Sequence, residues 1–273
     1  MSTEHQQNGR RGFRLREHYV ICNWNSKIID IVEQLHHDVL EDTVIVIVTT
    51  QPVQPSMLPT GSTENGALRD VVFYPGDPTR RETLENVNCS EARAVIVLAD
   101  ETLGVQADAR NLLTLFALSE LKPEGERPPH FVIEILDVAN YSKFQQFEED
   151  EQHDIEIIRA ESLRTRILAQ AARTPGLVSL YHDLLTYSKE SNEIYSVDVP
   201  HGWIPDELTF GRLSEKLLAL RDAPVEPVVC IPIGLWKRSV RTITTNPPDH
   251  MLVERGDRVV IICREKPILE RYG

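Results

Sequence analysis

Short apolar runs alternate with amphipathic stretches along residues 18–158. The runs are predicted to be strands at 18–22, 44–49, 71–74, 94–99, 131–136 and 155–158. Between them, apolar residues recur at the spacing of one helix face in 27–40, 80–87, 109–121 and 140–149. Strands that alternate with helices favour an α/β fold, here a Rossmann-like, doubly wound parallel sheet. Residues 1–17 are polar and predict a flexible arm before that sheet.

Residues 159–190 are predicted to form two helices separated by a turn. Thr174-Pro175-Gly176 interrupts the helical pattern, because proline and glycine together stop a helix. The second helix carries a broad apolar stripe at helical spacing, formed by Leu177, Leu180, Tyr181, Leu184 and Leu185. We interpret this stripe as the interface of a homo-oligomer, the alternative being that it packs onto the core of its own chain.

The pattern changes again in residues 191–273. Short β runs at 194–199, 228–233, 251–253 and 259–263 predict a small α+β subdomain. The chain is therefore divided into an arm at 1–17, a Rossmann-like lobe at 18–158, a helix-turn-helix at 159–190 and a C-terminal lobe at 191–273.

Composition narrows the choice of partners and compartment. The formal net charge of −13 would repel DNA and RNA, so no nucleic-acid partner is expected. The four cysteines are scattered within apolar runs and form no CxxC pair, which favours buried, reduced thiols in a cytosolic protein. No apolar run approaches the roughly 20 residues that span a bilayer, so the chain itself is expected to be soluble.

The stretch from Val72 to Asp100 contains the most specific motif. Gly76-Asp77-Pro78-Thr79 links a strand to a helix; Asp77 is expected to cap that helix and Pro78 to occupy its first position. The run 94–98 has no polar residue, as expected for a central parallel strand. This β-GDPT-α-β unit resembles RCK domains of the TrkA-N family, and the turn Gly256-Asp257 before a buried strand resembles the TrkA-C subdomain that follows them.

The stretches ARAVIVLADETLGVQADARN and AARTPGLVSLYHDLL resemble the gating rings of calcium- or ligand-gated channels and the Castor-type channels. This resemblance implies a ligand-sensing gating domain of a potassium or other cation channel. It further implies that the helix-turn-helix joins protomers into a dimer, tetramer or octameric ring. The arm would lead from a pore domain, at the cytoplasmic or nucleoplasmic face of a membrane. The alternatives are a soluble nucleotide-binding regulator of a potassium uptake transporter and, less favoured, an NAD-dependent oxidoreductase.

The turn after the first strand bears on nucleotide binding. A dinucleotide site needs glycines there and an acidic residue after the second strand, yet the turn is Asn23-Trp24-Asn25 and the second strand ends in Thr49-Thr50. NAD binding is therefore not expected. ADP or ATP could still use the start of the helix, with Asn23, Trp24, Asn25 and Asp77 as candidate contacts. The alternatives are that Trp24 serves packing and Asp77 only caps its helix.

Acidic residues follow the fourth and fifth strands, at the edge where α/β sheets bind ligands. They are Asp100, Glu101, Asp108, Glu134 and Asp137. Carboxylates from several loops suit the flexible shell of Ca²⁺, which is the expected cofactor. Glu134 interrupts an apolar strand, so it must be paired or bind a cation. The resemblance implies a calcium-ligand role for Glu134 and Asp108; the alternative is that Glu134 pairs with an arginine.

Nothing in the sequence indicates catalysis. No P-loop, nucleophile elbow or HExxH motif occurs, and no histidine lies at the spacing of a catalytic or metal-binding partner. The chain is therefore predicted not to be an enzyme.

Overall fold

The computed structural model describes residues 15–38, 43–52, 70–122, 128–148, 154–186, 191–204, 207–224 and 226–272. Residues 1–14 of the predicted arm and 187–190 of the predicted helix-turn-helix lie outside these ranges, as do the last predicted positions of two helices, 39–40 and 149. The chain divides into two compact units, Met1–Ala172 and Arg173–Gly273. The division falls inside the predicted helix-turn-helix.

The first unit is built on a six-stranded parallel sheet in the order β3-β2-β1-β4-β5-β6. The strands are β1 (Tyr19–Cys22), β2 (Ile45–Thr49), β3 (Val71–Pro75), β4 (Ala94–Val97), β5 (His130–Ile135) and β6 (Asp154–Arg159). The crossover helices are α1 (Ile28–Asp38), α2 (Arg81–Asn86), α3 (Ala107–Ser119) and α4 (Tyr141–Glu148). This arrangement confirms the predicted α/β fold with a Rossmann-like, doubly wound sheet.

The central strands form the core because both of their faces are covered. Every residue of β1 and β2 is buried. Apolar side chains of one sheet face pack with α2, α3 and α4, and those of the other face pack with α1. Two of the four cysteines, Cys22 and Cys89, lie in this core as free thiols, and burial raises the pKa of Cys22 to about 12.

Two details of the GDPT region differ from the prediction. β4 ends at Val97 rather than Ala99. Leu98 still donates its N–H to the Cys22 carbonyl, but the carbonyls of Leu98 and Ala99 accept from the side-chain amides of Asn23 and Asn25. Helix α2 begins at Arg81, and its first turn receives no side-chain cap. Asp77 instead accepts hydrogen bonds from the backbone N–H and the hydroxyl of Thr79, at 3.0 and 2.8 Å. It therefore closes the turn before the helix rather than the helix itself.

Two helices follow the sheet. Helix α5 (Ala160–Arg173) and helix α6 (Leu177–Leu185) are separated at Gly176, whose φ of 86° is a left-handed conformation that glycine adopts without strain. The break predicted at Thr174-Pro175-Gly176 is thus confirmed. Neither helix has a buried residue.

The second unit contains an antiparallel sheet in the order β7-β10-β8-β9. Its elements are β7 (Glu193–Asp198), α7 (Phe210–Ala219), β8 (Cys230–Lys237), β9 (Thr242–Thr245) and β10 (Arg258–Cys263). The run 251–253 is not a strand; it contributes one isolated bridge, between Leu252 and Thr209. The sequence analysis did not locate α7 or β9. β9 is a short and largely exposed edge strand, whereas α7 carries Phe210, Leu213 and Leu217 at helical spacing, a signal that was overlooked.

The Gly256-Asp257 turn is a structural element of this second unit. Asp257 is buried and accepts hydrogen bonds from the backbone N–H groups of Glu254 and Arg238 and from the Lys237 ammonium, at 2.8 to 3.0 Å. Gly256 has a φ of 86°, and a Cβ there would lie 2.8 Å from the Arg238 Cδ. Glycine and aspartate are therefore required by turn geometry and by three donors that need an acceptor.

Candidate functional site

The carboxyl ends of β1 and β4 meet at the centre of the sheet, where the strand order reverses. In open α/β sheets, ligands bind in the crevice at this switch point. Here the crevice is bordered by the turn from β1 to α1 and by the segment that follows β4. Both segments contain residues that the sequence marked as candidates for binding.

Asn23 takes the backbone conformation that a glycine would supply in a dinucleotide-binding turn. Its φ is 71°, a left-handed value that asparagine tolerates better than most residues. Its side chain is buried and donates to the carbonyl of Leu98 at 2.8 Å and to the Asn111 Oδ1 at 3.3 Å. The Asn23 side chain therefore fills space in the crevice that a glycine, which has no side chain, would leave open.

Asn25 joins the same turn to the end of β4. Its Nδ2 donates to the Ala99 carbonyl at 3.0 Å, and its Oδ1 accepts from the Lys27 backbone N–H at 3.0 Å. An N–H at the start of α1, which would otherwise face an anionic ligand, is thus satisfied by the protein. One of the backbone groups at the position of a Rossmann pyrophosphate site is therefore bonded within the chain.

Glu134 is a buried carboxylate on a central strand, 7% exposed. Its Oε1 lies 2.6 Å from the Lys27 Nζ, and its Oε2 accepts from the Ala99 backbone N–H at 3.1 Å. The partner of Glu134 is therefore a lysine from the β1–α1 turn, not the arginine considered from the sequence. Asn111 also donates to the Glu134 carbonyl at 2.8 Å, so side chain and backbone are both held.

Lys27 links two of the predicted acidic residues. Its ammonium also lies 3.2 Å from the Glu101 carboxylate. Partial burial acts to lower the pKa of the Lys27 ammonium, but its hydrogen bonds and charge attraction to Glu134 and Glu101 outweigh burial and raise that pKa. Lys27 is therefore a cation held between two carboxylates.

Asp100 is held by neutral donors. Its Oδ1 accepts from the backbone N–H and the hydroxyl of Thr102, at 3.0 and 2.6 Å, and its carboxylate accepts from the Gln51 amide at 3.3 Å. The residue is buried and closes the turn after β4.

Asp108 and Asp137 organise the end of β5. Asp108 accepts from the backbone N–H groups of Leu136 and Asp137, at 2.8 and 3.0 Å, and from the Asn140 amide at 2.8 Å. Asp137 in turn accepts from the backbone N–H of Ala139 at 2.9 Å. Over the part of the chain that the structure describes, no three acidic, histidine or cysteine side chains are grouped as a metal centre.

The remaining nucleotide candidates lie on the other side of β1. Trp24 packs against Phe73, with ring centroids 6.0 Å apart, and belongs to the apolar cluster beneath α1. Asp77, at the end of β3, lies 2.8 Å from the Arg110 guanidinium. Partial burial would raise the pKa of Asp77, but its bonds from Thr79 and the charges of Arg110 and Arg80 lower it instead. In this structure, Trp24 and Asp77 are engaged in these contacts with the protein.

Sequence reasoning overlooked three residues of the crevice, Lys27, Asn111 and Gln51. A signal for Lys27 was present in the sequence. The charged residue Glu134 on β5 needs a partner, and Lys27 directly follows the turn after β1, which a parallel sheet places at the same carboxyl edge as the end of β5. Asn111 and Gln51 carry no such signal, because uncharged polar residues are common on helices and in loops.

The predicted interface stripe is partly uncovered. Leu180 and Leu185 are 50% and 67% exposed, while Leu177, Tyr181 and Leu184 are partly buried. Further exposed apolar side chains that the sequence analysis did not single out are Leu163, Leu168 and Val178. Helix α5 in the first unit and helix α6 in the second therefore each expose apolar side chains of the kind that usually mark an interface.

The fold and this crevice define a Rossmann-like domain, and comparison with known families is more specific. Residues 14–162, more than half of the chain, match the family described as the calcium-activated potassium channel slowpoke-like RCK domain. The chain belongs to that family. Residues 161–270 match a second model, described as Castor and Pollux, part of voltage-gated ion channel.

The similar proteins are ion channels. The chain is 28% identical over 254 residues to the ion channel CASTOR of Lotus japonicus, covering 92% of this chain and 27% of that protein. It is 24% identical over 277 aligned positions to the calcium-gated potassium channel TvoK of Thermoplasma volcanium, covering 97% of this chain and 67% of TvoK. The chain spans about a quarter of the length of its plant relatives.

The human SLO3 gating ring shares the fold. It superimposes with a TM-score of 0.61 at 15% identity, covering 90% of this chain and 44% of that one. Together with the family match, this likeness confirms the predicted RCK-type architecture. Within the residues that the structure describes, no helix is long and apolar enough to cross a membrane.

The turn at Asn23 yields a stability prediction. Asn23→Ala removes two buried hydrogen bonds and places an alanine in a left-handed conformation, so we expect a loss of about 2–4 kcal/mol in the free energy of unfolding. Asn23→Gly loses the same bonds without the backbone strain and should cost about 1 kcal/mol less. Urea denaturation followed by circular dichroism measures both; equal losses would show that the conformation contributes nothing.

Proposed function

We propose that this chain is the ligand-sensing regulatory domain of a potassium or other cation channel, acting at the cytoplasmic face of a membrane. The observation that carries this proposal is membership of the slowpoke-like RCK family, supported by similarity to CASTOR and TvoK over nearly the whole chain. A pore domain elsewhere in the polypeptide, or in a partner, would be the element that the domain controls.

The proposed mechanism is mechanical rather than catalytic. A ligand bound at the carboxyl edge of the parallel sheet would favour one of two arrangements of paired domains. The difference in its affinity for the two arrangements supplies the free energy that biases the gate. The similar channels support a regulatory role and not an enzymatic one.

The segment that enters β1 is fastened to the sheet domain. The Asn88 amide donates to the Leu15 carbonyl at 2.7 Å, and the Glu17 N–H donates to the Glu91 carbonyl at 3.0 Å. Arg16 and Glu91 form an ion pair at 2.9 Å. These bonds attach residues 15–17 to the turn before β4. A pull on a preceding linker would therefore reach the central strands directly, which supports the arm as the mechanical connection to a pore.

The exposed apolar side chains of α5, and separately those of α6, support oligomeric assembly. Leaving large leucine side chains in water costs about 25 cal/mol for each Å² of apolar surface, which a second protomer would recover. We therefore propose that these two helices join protomers, as expected from the apolar stripe.

Assembly can be tested with variants that leave the core intact. Leu180→Asp combined with Leu185→Asp should convert the oligomer to a monomer, because both side chains are at least half exposed and each charge would be buried on association. Light scattering at micromolar concentration measures the change. Val240→Asp is the matched control, since Val240 is equally exposed but lies in the turn between β8 and β9. A monomeric parent chain, or an unchanged oligomer in the double variant, would contradict the interface.

Calcium is the ligand that we propose for the acidic edge. The candidate carboxylates come from several loops, which suits the irregular shell of Ca²⁺, but in this structure every one of them already bonds to protein donors. Calcium would have to compete with those donors, so binding in the millimolar range is expected.

A thermal-shift titration tests this ligand. Ca²⁺ should raise the melting temperature, and Mg²⁺ should do so less because it demands a strict octahedron. Glu134→Gln should reduce the calcium shift. The same substitution should also lower the free energy of unfolding of the calcium-free protein by about 1–3 kcal/mol, because Lys27 loses a charged partner. This loss lies between the values typical of an exposed ion pair and of a buried one. Glu82→Gln, on the exposed face of α2, is the charge-matched control.

The two parts of this proposal fail separately. A calcium shift that survives Glu134→Gln would place the ion elsewhere, whereas no shift in the parent chain would exclude calcium as the ligand. The regulatory function is tested by recording cation current from the full-length polypeptide, with and without calcium, in parent and Glu134→Gln forms. Identical currents under all conditions would contradict regulation by calcium through Glu134.

The nucleotide alternatives predict a different ligand. We expect no tight NAD or NADH binding, because the side chains of Asn23 and Asn25 fill the turn and an N–H at the start of α1 is already bonded. Calorimetry with NADH and ADP measures this. A low-micromolar dissociation constant for either nucleotide would favour the nucleotide-binding regulator of an uptake system. Tight binding of NADH together with its oxidation during turnover would favour an oxidoreductase.

A further inference from the structure

Two of the four cysteines lie directly opposite each other on neighbouring strands of the antiparallel sheet. Cys230 is the first residue of β8 and Cys263 is the last residue of β10, and the two are partners in the register of these strands. Directly opposite residues of antiparallel strands have Cα atoms about 4.5–5.5 Å apart. That separation falls within the range of about 4.4–6.8 Å that a disulfide bond needs.

Both cysteine side chains leave the sheet on the same face, as opposite residues of paired strands do. They belong to the apolar core of the second unit, together with side chains of α7. Both are free thiols, and each donates to its own carbonyl, Cys230 to Leu217 at 3.8 Å and Cys263 to Glu265 at 3.0 Å. The structure therefore shows the reduced form of a pair whose backbone spacing already suits a bond.

The pair lies at the ends of its two strands, next to residues in contact with solvent. Val229 and Ile231, on either side of Cys230, are both exposed, and so is Arg264 directly after Cys263. Strand ends open by local fluctuation more readily than the centre of a core. A small oxidant can therefore reach these thiols without unfolding the whole chain, although both are covered in the closed sheet.

The other two cysteines differ in this respect. Cys22 lies on β1 between β2 and β4, and its neighbours Ile21 and Asn23 are buried as well. Cys89 follows α2 and is not part of the sheet. Cys22 and Cys89 are therefore not cross-strand partners, and they provide buried thiols for comparison within the same protein.

The two thiols of the pair also differ in how easily they ionise. Burial, followed by the nearby Cys230 thiol and the Glu193 carboxylate, raises the pKa of Cys263 to about 12. Burial raises the pKa of Cys230 too, but the charge of Arg221 acts in the opposite direction. Because the thiolate is the nucleophile in disulfide exchange, Cys230 is the thiol that attacks first, and the reaction is slow at neutral pH.

We propose that Cys230 and Cys263 form a redox-sensitive pair that a small-molecule disulfide converts reversibly into an intramolecular disulfide bond. The Cys230 thiolate attacks one sulfur of the small disulfide, which releases one small thiol and leaves a mixed disulfide. The Cys263 thiolate then attacks the Cys230 sulfur and releases the second small thiol. Overall, the two cysteines lose two electrons and two protons, and the small disulfide gains them. The bond would fasten β8 to β10 and make the stability of the second unit depend on the thiol–disulfide balance.

Oxidised glutathione, at neutral and at mildly alkaline pH, is the probe. The full chain is incubated with it, remaining thiols are alkylated after denaturation, and peptide mapping by mass spectrometry locates every disulfide. Cys230→Ala and Cys263→Ala each remove one partner, and Cys89→Ala, which removes a buried thiol of the first unit, is the matched control. Circular dichroism checks that each variant is folded. Mapping of the parent chain needs no variant.

We expect the parent chain to form the Cys230–Cys263 bond within one molecule, and dithiothreitol to reverse it. The rate should rise about tenfold for each pH unit below the pKa of the attacking thiol. The oxidised parent should melt several degrees higher, because the bond restricts the unfolded chain. Cys263→Ala should stop at a glutathione adduct on Cys230, and Cys89→Ala should behave as the parent does.

Two results would overturn the pair. One is a parent chain in which Cys230 and Cys263 both stay open to alkylation after prolonged oxidation. The other is a bond that joins either of them to Cys22, to Cys89 or to a second chain. Neither result bears on the proposed regulation of a channel, because the pair lies in the second unit, away from the crevice of the parallel sheet in the sequence and in the fold.

Discussion

A negative charge in the interior of the parallel sheet is the constraint around which the functional edge is organised. Glu134 lies on β5 between β4 and β6, where an unpaired carboxylate would be strongly destabilising. Lys27 supplies the opposite charge, the Ala99 N–H supplies a second donor, and Asn111 holds the strand backbone beside it. These bonds tie the β1–α1 turn, the end of β4, the start of α3 and β5 to one another. The crevice that binds dinucleotides in related folds is therefore a polar network within the protein.

The two ends of the parallel strands have different roles in the proposed mechanism. At the carboxyl edge, charged side chains on separate loops are held by bonds that a ligand could replace. At the opposite edge, residues 15–17 are bonded to the turn at Asn88 and Glu91, so the chain enters β1 from a fixed direction. Strands β1 and β2 are fully buried, and in the proposed mechanism a rearrangement at one edge would be transmitted through these closely packed strands to the other.

Helices α5 and α6 show that the solvent exposure of apolar side chains, and not helix formation, identifies a candidate interface. Both helices form as the sequence pattern predicts, yet neither contains a fully buried side chain. Sequence periodicity is the same whether a stripe faces its own core or a partner, because both environments exclude water. The exposure of Leu180 and Leu185 is what favours a partner.

The sequence by itself determined the order and type of the strands and helices in the first unit, because hydrophobic periodicity follows from local geometry and from the burial of parallel strands. It also placed the acidic residues at the correct edge, since parallel strands all end on the same side. Only the tertiary structure decided what those residues contact. Lys27 and Glu134 are far apart in the chain. A glutamate within an apolar strand gives the same sequence pattern whether its partner is an arginine, a lysine or a metal ion. The sequence likewise makes Asn23 and Asp77 candidates for ligand binding, and only the fold shows that Leu98 and Asn111 lie within hydrogen-bond distance of Asn23 and Arg110 within that distance of Asp77.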